Sequence, residues 1–68
     1  MRVIQFNTIQ EFEALNTQIH SWALVNISKY RASKWATPIE REGKYLMGVD
    51  DSRLANYDFS NYTITEIQ

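Results

Sequence analysis

The sequence predicts an α+β domain in which one amphipathic helix packs on a small, mainly antiparallel sheet, in the order β-α-β-β with a short C-terminal strand or helix. Three observations support this. Phe12, Leu15, Ile19 and Trp22 recur at spacings of three, four and three, the period of one helix face. Alternating runs on either side of Glu42-Gly43 read as a hairpin. With 68 residues, the chain has room for one domain, 1–68, and one thin core.

Arg2 to Phe6 holds Val3, Ile4 and Phe6, which suit a pleated surface, and reads as a strand. Thr8 followed by Glu11 fits a capping box, in which hydroxyl and carboxylate satisfy orphan amides at a helix start. The stripe carries the helix to about Leu24. Asn26 then falls where an apolar residue is needed, so the helix is expected to fray. Trp35 to Arg41 reads as a strand with Trp35, Thr37 and Ile39 on one face, and Pro38 makes it an edge or a bulge. Gly43 supplies the positive φ of a tight turn. Lys44 to Asp50 returns with Tyr45, Met47 and Val49 on one face. Asp50-Asp51-Ser52 signals a turn. Tyr62-Thr63-Ile64-Thr65 favours a strand, against a last helix capped by Ser60 and ending at Ile67.

Composition excludes several classes. At 44% hydrophobic and 22% charged, the chain is too apolar for disorder. Without cysteine there is no disulfide, thiolate catalysis or Cys-ligated zinc. A net charge of −1 argues against an electrostatic nucleic-acid binder as a whole. The charge is uneven, however. Residues 29–44 carry five cations against two acids, and residues 45–68 one cation against four acids. The start of the chain lacks the apolar core of a signal peptide, and the apolar run Trp22–Val25 is too short to span a bilayer. The expected location is the cytoplasm, with no membrane partner.

An N-terminal strand, Phe6-Asn7-Thr8 leading into an acidic helix, Trp35-Ala36-Thr37-Pro38-Ile39, then Gly43-Lys44-Tyr45 and Val49 resemble small uncharacterised accessory proteins of tailed bacteriophages. The likeness covers about residues 2–53 and implies a virion-associated or host-directed role in the host cytoplasm or the virion. It carries over no catalytic residue.

The candidate chemistry is sparse. His20 is the lone histidine, with Glu13 two helical turns away as its nearest acid in register, and it reads as a partly exposed helix residue. Asp50 and Asp51 lack the further ligands and glycine of a calcium loop and read as turn residues. Gly43 and Gly48, the only glycines, fit neither a phosphate loop nor a nucleophile elbow. No enzyme activity, cofactor or metal is expected.

Two binding readings remain. Phe6, Phe12, Trp22, Tyr30, Trp35, Tyr45, Tyr57, Phe59 and Tyr62 are many rings for one small core; either all bury, or some face outward as contact sites. The first reading is a non-enzymatic protein that binds a protein partner, or itself as a homo-oligomer, through Trp35, Tyr45, Tyr57, Phe59 and Tyr62. The alternative is a single-stranded nucleic-acid module. It uses the basic-aromatic stretch 29–35, with Lys29, Arg31, Lys34 and Trp35, together with Lys44.

Overall fold

The computed structural model describes residues 1–68. Strand β1 spans Arg2–Phe6 and helix α1 spans Ile9–Asn26. Strands β2 (Ile39–Arg41) and β3 (Lys44–Gly48) form the hairpin, a single 3₁₀ turn follows at Ser52–Leu54, and strand β4 covers Ile64–Glu66. One antiparallel sheet results, in the order β2-β3-β1-β4, with α1 on one face.

Side-chain alternation sets that layer. Ile4 and Phe6 of β1 face the helix, and register places Met47 and Tyr45 of β3 beside them. These residues, with Phe12, Leu15 and Ile19 of α1, Val49 after β3 and Leu54 of the 3₁₀ turn, form the core and its edge. Fully burying each large apolar side chain contributes about 1.5–3 kcal/mol. Val3 and Leu46 lie on the opposite face and are also buried.

The helix entry carries half of the expected capping box. Glu11 N–H donates to Thr8 Oγ1 at 3.2 Å, but the Glu11 carboxylate accepts from the Thr8 hydroxyl at 3.0 Å rather than from a backbone amide. At the other end α1 runs two residues beyond Leu24 instead of fraying. Asn26 turns its side-chain amide back to the Trp22 carbonyl at 2.9 Å, and Ile27 N–H donates to the Ala23 carbonyl at 2.9 Å, so last-turn acceptors are occupied. The buried stripe also shifts. Ala23 takes the inward position, and Trp22 sits half-buried at the margin.

The expected strand Trp35–Arg41 is shortened to Ile39–Arg41, for a physical reason. Asn16 lies on the inner face of α1, 3% exposed, and grips Ala36 twice. Its Nδ2 donates to the Ala36 carbonyl and Ala36 N–H donates to its Oδ1, both at 2.8 Å. Ala36 is thus satisfied by a side chain rather than a ladder, and Pro38 has no N–H to offer one. Trp35, Thr37 and Ile39 therefore do not share a strand face.

The second strand of the hairpin ends at Gly48 rather than Asp50. Val49 N–H still reaches the Arg2 carbonyl at 3.0 Å, whereas Asp50 turns its carboxylate to Arg2. At the hairpin turn, Glu42 (φ +53) and Gly43 (φ +77) are both left-handed, the pattern of a type I′ turn. The C-terminal segment pairs with β1 as a strand. The alternative Ser60-capped helix is absent: residues 64–66 pair with β1 instead, and Ser60 N–H donates to Asp58 Oδ1 at 2.9 Å in a local turn.

Two stability outcomes follow from these contacts. Asn16→Ala leaves the Ala36 amide and carbonyl without partners and is expected to cost about 2–4 kcal/mol, read as a fall in urea midpoint. Glu42→Asn relieves the left-handed strain and is expected to gain up to about 1 kcal/mol in the same assay.

Candidate functional site

All five residues of the protein-binding expectation are half-buried and packed against the core, so none presents a freestanding ring. The fold separates them. Trp35 lies on the connector between α1 and β2, Tyr45 on β3, and Tyr62 edge-on to Phe6 at 6.4 Å. Only Tyr57 and Phe59 come together, with ring centroids 4.9 Å apart, and Tyr57 also meets Trp22 edge-on at 5.2 Å. Burial pushes the Tyr57 hydroxyl above its ordinary pKa of 10.0, with smaller contributions from Tyr62 and Asp58.

The side chains that are both large and open are aliphatic: Met1, Leu24, Val25, Ile39 and Ile64. Sequence reasoning assigned none of them a role. For Leu24 and Val25 the signal was present, since both depart from the inward stripe on the last turn of α1. For Ile64 it was not, because its exposure depends on β4 becoming an edge.

Ile64, Tyr57 and Phe59 share one feature. With Val49 and Leu54 they form the apolar wall of a cleft of about 330 Å³, and Arg2, Asp50, Asp51 and Ser52 form its polar wall. A second cleft, about 340 Å³, lies by the hairpin, where Arg41, Glu42 and Lys44 make its wall strongly polar. The first gathers more apolar side chains on one wall, with charged groups opposite them, and can take a side chain of mixed character from a ligand or partner.

Arg2, Asp50 and Asp51 of the polar wall belong to two ion pairs. Asp50 accepts from the Arg2 backbone N–H at 2.9 Å and from Arg2 Nε at 2.8 Å. Those contacts, the backbone amide first, hold its carboxyl below the ordinary 3.8. Asp51 takes a bidentate grip from Arg53 (Nη2 at 2.7 Å, Nε at 3.1 Å), and the guanidinium lowers its pKa in turn. Asp58 is lowered by the Ser60 backbone amide. The two adjacent acids are thus each held by an arginine, and no group of three His, Cys, Asp or Glu is gathered as a metal ion would need.

The nucleic-acid set is divided. Lys29, Arg31 and Lys34 are exposed on the connector, but Lys44 stands at the hairpin, where its Nζ donates to Asn7 Oδ1. Tyr30 is buried, and its hydroxyl donates to the Lys34 carbonyl at 3.0 Å and lies 3.1 Å from His20 Nδ1. One hydroxyl proton cannot serve both, so with it on Lys34 the His20 proton sits on Nδ1. Trp35 lies 5.8 Å from the Tyr30 ring, and the Arg53 guanidinium stands 4.7 Å over its indole. The ring that would stack a base is already occupied.

Comparison with protein-family models, with curated proteins and with solved structures finds no match. No helix is long and apolar enough to cross a membrane.

The lowered carboxyls set a pH dependence. Their pKa values are depressed in the fold, so the stability they contribute is complete above the unfolded value, about pH 4, and is lost as pH falls through the folded values. The urea midpoint is expected to drop below about pH 4. Asp50→Asn is expected to lower the midpoint at neutral pH and flatten that acid decline.

Proposed function

We propose that this is a non-enzymatic accessory protein that works by binding another protein. An extended segment of the partner adds to the free edge of β4 and sets a side chain of mixed character in the neighbouring cleft. The observation that carries this reading is the double position of Ile64, which belongs to an edge strand and also to the apolar wall of the cleft.

The register supports strand addition. Met1 and Ile67 exchange both backbone bonds (2.9 and 2.8 Å), so antiparallel alternation makes Val3 and Thr65 the next bonded pair. The backbone N–H and C=O groups of Ile64 and Glu66 then point away from β1, toward an incoming strand. All three β4 residues are exposed. The opposite edge is poorly suited to pairing: β2 follows Pro38 and carries Glu40 and Arg41. The β4 edge has no proline or lysine to discourage a partner. Arg2, Asp50 and Asp51 on the polar wall are all paired within the chain, which favours an uncharged side chain as occupant. A virion-associated or host-directed role accords with the phage resemblance in the sequence.

A partner isolated by cross-linking and then purified tests the reading. Ile64→Lys puts a charge at the cleft, and Glu66→Pro removes an outward amide without touching the β1 ladder. Each is expected to weaken binding about tenfold or more, with a native far-UV spectrum. Wild-type affinity in both variants rejects the site. A wild-type chain that is dimeric by light scattering, and monomeric as Glu66→Pro, identifies a second copy as the strand donor and replaces the heterologous partner.

A further inference from the structure

The connector between α1 and β2 carries three cations that make no ion pair. Lys29, Arg31 and Lys34 are exposed, while the two ion pairs of the molecule are Arg2–Asp50 and Arg53–Asp51. Asp58 turns to the Ser60 amide. Asp50 and Asp51 are thus paired with other cations, Asp58 and Glu66 stand on other segments, and although Glu13 of α1 lines a small cleft with Lys34, no acid forms an ion pair with the connector.

The connector is also held in shape. Tyr30 anchors it with a buried ring and the bond from its hydroxyl to Lys34, and Asn16 clamps Ala36. Within it, Lys29 adopts φ +66 in a turn closed by Tyr30 N–H to the Ile27 carbonyl at 3.3 Å. That conformation suits glycine or asparagine, and a lysine there holds the backbone in a strained state.

Beside this turn the last helical turn leaves two apolar side chains uncovered, Leu24 (56% exposed) and Val25 (84%). We infer that the end of α1 and the connector form a second protein-binding surface, whose partner is an acidic segment with interspersed apolar side chains. Its carboxylates meet Lys29, Arg31 and Lys34, and its apolar residues cover Leu24 and Val25. A nucleic acid fits less well: Tyr30 is buried, Trp35 is covered by Arg53, and a phosphate backbone has no use for the aliphatic pair. This surface shares no residue with the β4 edge and does not rest on that reading.

The test titrates the full chain with a synthetic peptide that alternates Glu or Asp with Leu or Phe, followed by tryptophan fluorescence or calorimetry. Binding is expected at low salt and should weaken about tenfold between roughly 20 and 200 mM salt. Arg31→Glu/Lys34→Glu should cost about tenfold or more, and Leu24→Ser/Val25→Ser several-fold. Lys29→Asn should weaken the peptide while leaving the melting temperature unchanged or a few degrees higher, which separates lost binding from lost folding. Ile64→Lys should bind the peptide as the wild type does. No peptide binding overturns the inference. So does equal affinity for a poly-glutamate peptide, or tighter binding of a single-stranded oligonucleotide or of phosphatidylserine vesicles.

Discussion

Two hydrogen bonds between the Asn16 side chain and the Ala36 backbone decide where the second half of the chain runs. A carboxamide offers one donor and one acceptor, much as a neighbouring strand does, so Ala36 is paired as though in a ladder while staying outside the sheet. The connector is thereby drawn along the flank of α1, and β2 starts only after Pro38. The contacts around the clamp form one chain: Tyr30 reaches Lys34 and approaches His20, Trp35 lies against Tyr30, and Arg53 caps Trp35. No buried side-chain nitrogen or oxygen in the protein lacks a partner. A buried asparagine destabilises a thin core when unpaired, and here full pairing turns it into the device that orders an otherwise irregular segment.

The fold was legible wherever a local period or a local turn dictates it. The Phe12–Ile19 stripe, the Thr8 cap and the Gly43 turn each carry their signal within a few residues and form the element they announce, and the β-prone Tyr62–Thr65 run gives a strand shifted to Ile64–Glu66. The errors lie where a distant group intervenes. Nothing near Trp35 reveals that Asn16, twenty residues earlier, will claim the Ala36 backbone. Nothing near Asp50 reveals that Arg2, forty-eight residues earlier, will turn it out of the ladder. The candidate site was legible to a similar depth. Tyr57 and Phe59 do line the apolar wall of the cleft, but the role of Ile64 depends on strand order, which no short-range pattern encodes.

Charge follows the same division between sequence and space. The acidic C-terminal third looks like a counterweight to the basic middle of the chain, yet the two do not neutralise each other. Asp50 pairs with a residue of β1, Asp51 pairs within its own turn, and Asp58 caps its own neighbour. None of these contacts reaches the connector, so a net charge of −1 coexists with three connector cations that make no ion pair. Net charge therefore bears on solubility here and says little about which surface meets which partner.

Size explains why stability and recognition are entangled in this protein. A chain of 68 residues does not enclose all nine of its aromatic rings: Phe6, Phe12 and Tyr30 are buried and six others form a rim, each half in and half out. The rim closes the core and also walls the cleft, which means that truncating Tyr57 or Phe59 removes packing and site together. Leu24 and Val25 are different: they stand outside the core and are 56% and 84% exposed, whereas Ile64, 37% exposed, still shares the cleft wall with Val49 and Leu54. In a domain this small, the uncovered Leu24 and Val25 can be changed with less cost to packing than the rings, and the two proposed surfaces lie on different elements, β4 and the end of α1.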